Sequence, residues 1–210
     1  ALWVGVNFAK ALSHLWNKPL IPVNHMAGHF YSAFLEESRT FHFELSTFKF
    51  PIVALLVSGA HTELVLVKKH GDFKIIGSTL DDAAGEAFDK VGRMLGLGYP
   101  GGPAVARIAE SGIGNQELCT EIKLPRPMIN SKNYDFSFSG LKTAVLYFLR
   151  DIGKTHSVKK LRPAIAREFQ NAVVDVLVKK TIRAAQEFGV KTVTLGGGVA
   201  ANAALRAALA

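Results

Sequence analysis

Apolar runs and apolar periodicities alternate along the chain, and together they predict an α/β fold. Residues 52–57 form an apolar run that is typical of a strand buried on both faces. The pattern predicts further short strands over 20–23, 62–67, 73–77 and 191–195. Period-3.6 patterns predict helices over 4–17, from about Asn24 to 37, after Asp82, over 104–111, from about 140 to 150 and over 157–188. The segments 38–51 and 112–133 show no clear period.

The helix that follows residue 80 carries a stripe of carboxylates. Asp81 and Asp82 are predicted to cap its N-terminus, because carboxylates there accept hydrogen bonds from free backbone N–H groups. Asp82, Glu86 and Asp89 recur at i, i+4 and i+7, close to the positive end of the helix dipole. Such a stripe is usually a solvated face. Here it begins beside a turn of small residues, so one member could hold a ligand hydroxyl.

Two turns of small residues follow predicted strands. Ser58-Gly59-Ala60-His61 separates two strands, and small side chains there would let successive backbone N–H groups bind a phosphate. The alternative is that these four residues form an ordinary hairpin turn. Residues 196–202 read GGGVAAN and join a strand to a helix, a geometry that is typical of nucleotide sites but by itself a weak signal.

His25 and His29 lie four residues apart. If a helix begins near Asn24, both imidazoles project from one face and are able to share a metal ion. A complete site would need at least one further ligand from elsewhere in the protein. The alternative is that one histidine caps the helix and the other packs against it.

Composition narrows the class of protein. The 210 residues carry a net charge of +8 and a pI near 9.6, which favours an anionic partner, most commonly nucleic acid. Cys119 is the single cysteine, which excludes an internal disulfide and favours a reducing, cytoplasmic compartment. Apolar runs fall short of the roughly 18 residues of a membrane helix, so no membrane association is expected. The chain starts and stops inside predicted helices, and we expect it to be truncated at both ends.

Six motifs in one order distinguish this sequence from a generic α/β protein: NHMAGH, LLVSGAHT, DDAAGEAFDK, LGLGYPGGP, DFSFSGLKTA and GGGVAAN. Together they resemble the tRNA adenosine threonylcarbamoyltransferase family, once named O-sialoglycoprotein endopeptidase. The resemblance covers essentially the whole chain. It implies an actin-like, sugar-kinase-like two-lobed fold of the ribonuclease H-like type, incomplete here, with residues 1–47 in the first lobe and 48–210 in the second.

The resemblance also implies a reaction and its site. The family transfers a threonylcarbamoyl group from threonylcarbamoyl-AMP to the exocyclic amine of adenosine 37 in tRNAs that read codons beginning with A. The family's metal ligands match His25 and His29, for a divalent ion such as iron or zinc. Its nucleotide contacts match eight positions: Leu56, Val57, Ser58, Gly59, Ala60, Asp89, Gly102 and Asn202. Implied partners are tRNA, a shortened homologous subunit and a small ATPase.

The sequence departs from the family pattern at Ala60, where a second glycine is usual, and at Ala27, where a glutamate is usual. The family's first phosphate-contacting segment and its third metal ligand, an aspartate, would lie outside the 210 residues. We therefore expect the chain alone to bind metal weakly and not to turn over.

Three other functions fit parts of the pattern. The first is a zinc metallopeptidase, but Met26 stands where such a helix carries its glutamate base. The second is a small-molecule kinase of the same superfold, which would need no tRNA. The third is a non-catalytic partner of the same fold, which would have no use for His25 and His29.

Overall fold

The structure is a computed structural model that describes residues 2–34, 49–111, 122–152 and 158–210. Within these ranges one mixed sheet forms, in the order β3-β2-β1-β4. Its strands are β1 (Ile52–Val57), β2 (Thr62–Lys69), β3 (Asp72–Ser78) and β4 (Thr192–Gly196). Strand β1 pairs antiparallel with β2 and parallel with β4, and all six of its residues are buried. The sequence-based prediction of a strand buried on both faces is confirmed.

The described residues also form helices. They are α1 (Leu2–Leu15), α2 (His25–Ser32), α3 (Ala84–Met94), α4 (Gly101–Ser111), α5 (Ser139–Ile152), α6 (Val158–Glu187) and α7 (Ala203–Leu209). A 3₁₀ turn over Gly198–Ala201 joins β4 to α7. No helix in the described ranges is both long enough and apolar enough to span a membrane.

The two faces of the sheet bury two separate apolar clusters. Val53, Leu55 and Val57 of β1 belong to the larger cluster, which α3 to α7 cover. The alternate β1 residues pack with Phe30 of α2 in a smaller cluster on the opposite face. The sheet therefore holds α2 on one side and the bulk of the helices on the other.

Helix α6 forms the main support of the larger cluster. An apolar stripe along this helix is fully buried: Ile165, Phe169, Val173, Val176 and Leu177. Phe169 meets Phe88 of α3 edge to face, with ring centroids 5.1 Å apart. This contact fixes the position of α3, which carries Asp89.

Four local predictions are wrong. Residues 20–23 form no strand, and Ile21 is 77% exposed, because this short apolar run pairs with no other strand among the described residues. Asp81 and Asp82 do not cap α3. Its N-cap is Ala83, without a side-chain hydrogen bond. The carboxylate of Asp82 is instead bound by Lys90 and Lys142.

The third wrong prediction is the start of α4, which lies at Gly101 rather than at residue 104. The helix begins earlier because Asp89 of the preceding helix accepts hydrogen bonds from its first N–H groups. The fourth wrong prediction is the end of the second helix, expected near 37: α2 ends at Ser32, with Ala33 as its C-cap. The predicted lobe boundary between 47 and 48 and Cys119 lie outside the described residues.

Candidate functional site

The Ser58–His61 turn between β1 and β2 is closed mainly by Ser58. Its backbone N–H donates to the His61 carbonyl oxygen at 2.8 Å. Its hydroxyl oxygen accepts from the N–H groups of His61 at 3.1 Å and Ala60 at 3.3 Å. Of the turn amides predicted to bind phosphate, only the Gly59 N–H has no partner among the described residues. The turn therefore offers fewer free backbone N–H donors than its sequence suggests.

The start of α3 and the loop after β4 both pack against this end of β1. The N–H of Ala84 donates to the Thr62 hydroxyl at 2.9 Å, which ties the first turn of α3 to β2. A Cβ atom on Gly197 would lie 2.3 Å from the carbonyl oxygen of Val57, so the loop approaches β1 as closely as only glycine permits. Both contacts bring helix N-termini toward the Ser58–His61 turn.

A cavity of about 500 Å³ opens between these elements. Four of the residues predicted from sequence line it: Gly59, Asp89, Gly102 and Asn202. Leu56 and Val57 do not line it, because their side chains are buried on opposite faces of the sheet. Ser58 and Ala60 lie in the turn that contributes Gly59 to the wall.

Asp89 lies at the centre of the lining and has a structural task. Its Oδ1 accepts hydrogen bonds from the N–H groups of Gly101 at 2.7 Å and Gly102 at 3.4 Å, which caps α4. The carboxylate is thereby oriented, and Oδ2 makes no hydrogen bond among the described residues. An oriented, charged acceptor at a cavity wall is suited to bind a ligand hydroxyl.

Asn202 is held from two sides. Its Oδ1 accepts from the Leu205 N–H at 3.0 Å and so caps α7. Its Nδ2 donates to Gln170 Oε1 of α6 at 2.9 Å. The amide is therefore fixed in the wall, with one N–H and one lone pair left for a ligand.

On the other face of the sheet, His25 and His29 lie side by side. Asn24 caps α2 by accepting from Met26 N–H at 2.9 Å and Ala27 N–H at 3.1 Å, so the helix begins where the metal hypothesis required. The two imidazole centroids are 4.4 Å apart. Burial lowers the pKa of His29, and the neighbouring His25 and His61 lower it further. A neutral imidazole is the form that binds metal.

The imidazole pair by itself does not make a metal centre. Among the described residues, no group of three histidine, cysteine or carboxylate side chains could hold a metal ion. The pair could supply two ligands of a site, and its role as a metal ligand pair stays a prediction. The alternative of a capping histidine is not supported, because Asn24 supplies the cap.

Comparison with known proteins identifies the family. A sequence model described as tRNA N6-adenosine threonylcarbamoyltransferase matches residues 1–210. The chain belongs to this family. The protein of that name from Ralstonia pickettii is 51% identical over an alignment of 211 residues that covers 100% of this chain and 57% of the relative. The one from Bacillus subtilis is 51% identical over 210 residues, 100% of this chain and 56% of the relative.

A third threonylcarbamoyltransferase, from Thermosipho africanus, is 48% identical over 206 residues, 98% of this chain and 58% of that protein. The chain thus spans little more than half the length of these relatives. The resemblance inferred from the six motifs is confirmed at the level of the family.

Two departures from the family pattern are accommodated without strain. Ala60 does not have a positive φ, so its methyl group is compatible with the turn. Ala27 lies in the first turn of α2, and its N–H is bound by Asn24. Met26, at the place of a peptidase glutamate, packs against the smaller apolar cluster, which gives this helix no general base.

Sequence reasoning missed two charged residues that line the cavity. Arg107 and Glu110 of α4 both line it. The available signal was helical spacing, since Gly102, Ala106 and Glu110 recur every four residues and share one face. That signal could not be used without knowing that Gly102 already lies inside the helix.

Proposed function

We propose that this chain carries the nucleotide site and two metal ligands of a tRNA-modifying enzyme. The enzyme transfers the threonylcarbamoyl group of threonylcarbamoyl-AMP to the exocyclic amine of adenosine 37 in tRNAs that read codons beginning with A. The observation that carries the proposal is the cavity that gathers Gly59, Asp89, Gly102 and Asn202. The names of the family and of its relatives support the same reaction.

The proposed fold is the two-lobed actin-like architecture, with residues 1–47 in one lobe and 48–210 in the other. The mixed sheet and its helices agree with the α/β core of such a fold. In this arrangement the cavity faces the cleft between the lobes. The imidazole pair of α2 faces the same cleft from the other side of the sheet.

Each cavity residue has a role that suits its chemistry. The free N–H of Gly59 binds a phosphate oxygen of the donor, helped by the N-terminal end of α3. Asp89 Oδ2 accepts a hydrogen bond from a ribose hydroxyl. Gly102 presents backbone without a side chain, and Asn202 offers one N–H and one lone pair to the nucleoside.

His25 and His29 would hold a divalent ion, with further ligands from elsewhere in the protein. When bound, iron or zinc supplies Lewis-acid polarisation of a carbonyl oxygen and a template for the transferred group. The lowered pKa of His29 keeps its imidazole neutral near pH 7 and ready to bind the ion.

The reaction depends mainly on positioning of the two reactants. The bond between the carbamoyl carbon and the phosphate oxygen breaks, and AMP leaves with the electron pair. The same carbon forms a bond to the amine nitrogen, which gives up a proton. Because AMP is a good leaving group, oriented binding and charge stabilisation contribute most of the rate acceleration.

The proposed partners are tRNA, a shortened homologous subunit and a small ATPase, all in the cytoplasm. The net charge of +8 supports an anionic partner such as tRNA. A small-molecule kinase of the same superfold would instead phosphorylate its substrate without any tRNA, and this difference separates the two functions.

The test is formation of threonylcarbamoyladenosine. The whole protein is incubated with its companion subunits, threonine, bicarbonate, ATP and tRNA, and the modified nucleoside is measured by mass spectrometry. We expect His29→Ala and Asp89→Asn each to lower the rate by at least about tenfold, the size of one lost charge-assisted contact. Asp151→Asn, an exposed carboxylate of α5, is the control.

Elemental measurement of bound metal accompanies the assay. His29→Ala should lose the metal, and His14→Ala, an exposed histidine of α1, should keep it. Unchanged activity in both His29→Ala and Asp89→Asn, or phosphorylation of a small molecule without tRNA, would overturn the proposal.

A further inference from the structure

The polar side chains of the cavity differ in how many hydrogen bonds they already make within the protein. Four charged or amide side chains of the described residues line it: Asp89, Arg107, Glu110 and Asn202. Asp89 caps α4, and Asn202 caps α7 and binds Gln170. Arg107 and Glu110 make no hydrogen bond or ion pair with any described residue. The free hydrogen-bonding capacity of the cavity therefore lies mostly on α4.

The helix that presents these two side chains is held firmly. At its N-terminus Asp89 binds the first N–H groups. Near its C-terminus Arg167 of α6 donates two hydrogen bonds to the Ala109 carbonyl oxygen, at 3.0 and 2.8 Å. Arg107 and Glu110 thus project from a helix that is fixed at both ends, which is what a recognition surface requires.

The order of the lining residues gives the cavity a direction. Gly59 lies by the first turn of α3, and Asp89 lies one turn further along that helix, against the start of α4. Glu110 follows Gly102 by eight residues, so at about 1.5 Å per residue it lies about 12 Å further along α4. With phosphate at Gly59 and ribose at Asp89, the lining side chains that keep most free hydrogen-bonding groups for a base are those of Arg107 and Glu110.

We propose that Arg107 and Glu110 determine the base specificity of the cavity by reading the Watson–Crick edge of adenine. The inference rests on the proposed nucleotide site. The Glu110 carboxylate accepts a hydrogen bond from the 6-amino group, and the Arg107 guanidinium donates one to N1. Val199 and Ala203 supply apolar wall for the rings.

The same pair would reject other purines. Guanine and hypoxanthine carry a carbonyl oxygen at position 6 and a protonated N1. Against these bases, Glu110 would face an acceptor and Arg107 a donor, so both contacts become repulsive. Selectivity for adenine then follows from one acidic and one basic side chain on neighbouring turns of one helix.

The experiment is calorimetric binding of three nucleotides to the whole protein: AMP, inosine 5′-monophosphate and purine riboside 5′-monophosphate, which has hydrogen at position 6. We expect Glu110→Ala to weaken AMP about tenfold, the size of one charge-assisted hydrogen bond at a partly exposed site. Its affinity for purine riboside monophosphate should change less than about twofold, because that ligand has no amino group to lose.

Arg107→Ala should weaken AMP and purine riboside monophosphate alike, because both keep the N1 acceptor. Glu110→Gln, whose amide oxygen still accepts, should recover part of the AMP affinity. The control variants are Asp151→Asn and Arg93→Gln, which remove the same charges from exposed positions outside the cavity.

Equal losses for AMP and purine riboside monophosphate in Glu110→Ala, or wild-type affinity for AMP in both alanine variants, would overturn the assignment while leaving the nucleotide site standing. A wild-type protein that binds no AMP, in contrast, would overturn the nucleotide site and this assignment with it.

Discussion

Gly197 rests against the backbone of Val57: a Cβ atom on Gly197 would lie 2.3 Å from the Val57 carbonyl oxygen and 2.7 Å from its carbonyl carbon. Gly197 also has a φ of +92°, which side chains larger than hydrogen rarely adopt. This contact sets the loop after β4 against the Ser58–His61 turn. The cavity wall at Gly198 and Asn202 depends on it.

We expect Gly197→Ala to be strongly destabilising, because both the steric contact and the backbone angle oppose a methyl group. The free energy of unfolding should fall by about 2–4 kcal/mol, the combined size of backbone strain and overpacking. Urea denaturation measures it. Gly198→Ala is the matched control, since a Cβ atom there meets nothing within 4 Å, and it should lie within about 0.5 kcal/mol of the wild type. Equal stabilities for the two variants would contradict this account.

Asp89 has two roles that substitution can separate. Asparagine keeps an oxygen for the Gly101 N–H but replaces Oδ2 with an amide nitrogen. We expect Asp89→Asn to keep its stability and to bind AMP about five- to tenfold more weakly, because the ribose hydroxyl loses a charged acceptor. Asp89→Ala should in addition lose about 1 kcal/mol of stability, since α4 loses its cap.

Calorimetry with AMP and 2′,3′-dideoxy-AMP tests the ribose contact. The dideoxy nucleotide has no hydroxyl to offer, so wild type and Asp89→Asn should bind it alike. A loss of the same size with both nucleotides would show that Asp89 acts only through charge.

Asp82 stabilises the start of α3 through two lysines rather than as a cap. Lys90 Nζ lies 2.8 Å from Oδ1 and Lys142 Nζ 2.7 Å from Oδ2. Burial by itself would raise the pKa of Asp82, but the hydrogen bonds from Lys142 and Lys90 outweigh it, and the pKa lies below 3.8. The folded protein therefore holds this proton less tightly than the unfolded chain does. The resulting stability is present above pH 3.8 and disappears as the pH falls through the lowered value.

We expect Asp82→Asn to lower the free energy of unfolding at pH 7 by about 1–2 kcal/mol, a value reduced by the partial exposure of the lysines. The difference from wild type should shrink below pH 3.8. Asp151→Asn, which breaks an exposed pair with Arg150, is the control and should change little. Urea denaturation at pH 7 and at a pH below 3.8 measures the stability of both variants and of wild type. A difference between Asp82→Asn and wild type that stays constant with pH would contradict the ion-pair explanation.

Sequence patterns correctly predicted the elements whose secondary structure depends only on their own residues. The apolar run of β1 and the stripe of α6 need no distant partner to be recognised, and both were predicted. The start of α4 and the role of Asp82 depend on residues remote in sequence: Asp89 lies 12 positions before Gly101, and Lys142 lies 60 positions after Asp82. No local pattern contains that information.

The candidate site also combines features that local sequence reveals with features that depend on remote contacts. Gly59, Asp89, Gly102 and Asn202 were identified through the family motifs, which record chemistry without geometry. Their convergence on one cavity results from the packing of α3 and the β4–α7 loop against β1. Arg107 and Glu110 lie in no glycine turn or histidine pair, and an exposed charged pair on a helix has no distinctive sequence signal.

The buried Lys180 provides a pH-dependent test of how the segment before α5 is held. Its side chain is fully buried, and Nζ donates to Ser131 Oγ at 2.7 Å, to the Asn133 carbonyl oxygen at 3.2 Å and to the Asp135 carbonyl oxygen at 2.5 Å. Burial lowers the pKa of Lys180 to about 8, nearby Arg183 lowers it too, and Asp135 opposes the shift. The unfolded chain binds this proton up to about pH 10.5, so between 8 and 10.5 it holds more protons than the folded protein. Stability from this group therefore rises with pH across that window.

We expect Lys180→Met to be less stable than wild type at pH 7 by about 1–3 kcal/mol, because three partly buried oxygens lose their donor. The gap should widen between pH 8 and 10, since only the wild type gains from losing a buried charge. Lys179→Met is the matched control: it removes the same charge at the surface, where Nζ binds Asn130 Oδ1 at 2.9 Å, and its stability should lie within about 0.5 kcal/mol of wild type at pH 7. Urea denaturation at pH 7, 8.5 and 10 distinguishes these cases. Parallel curves for wild type and Lys180→Met would contradict the lowered pKa of Lys180.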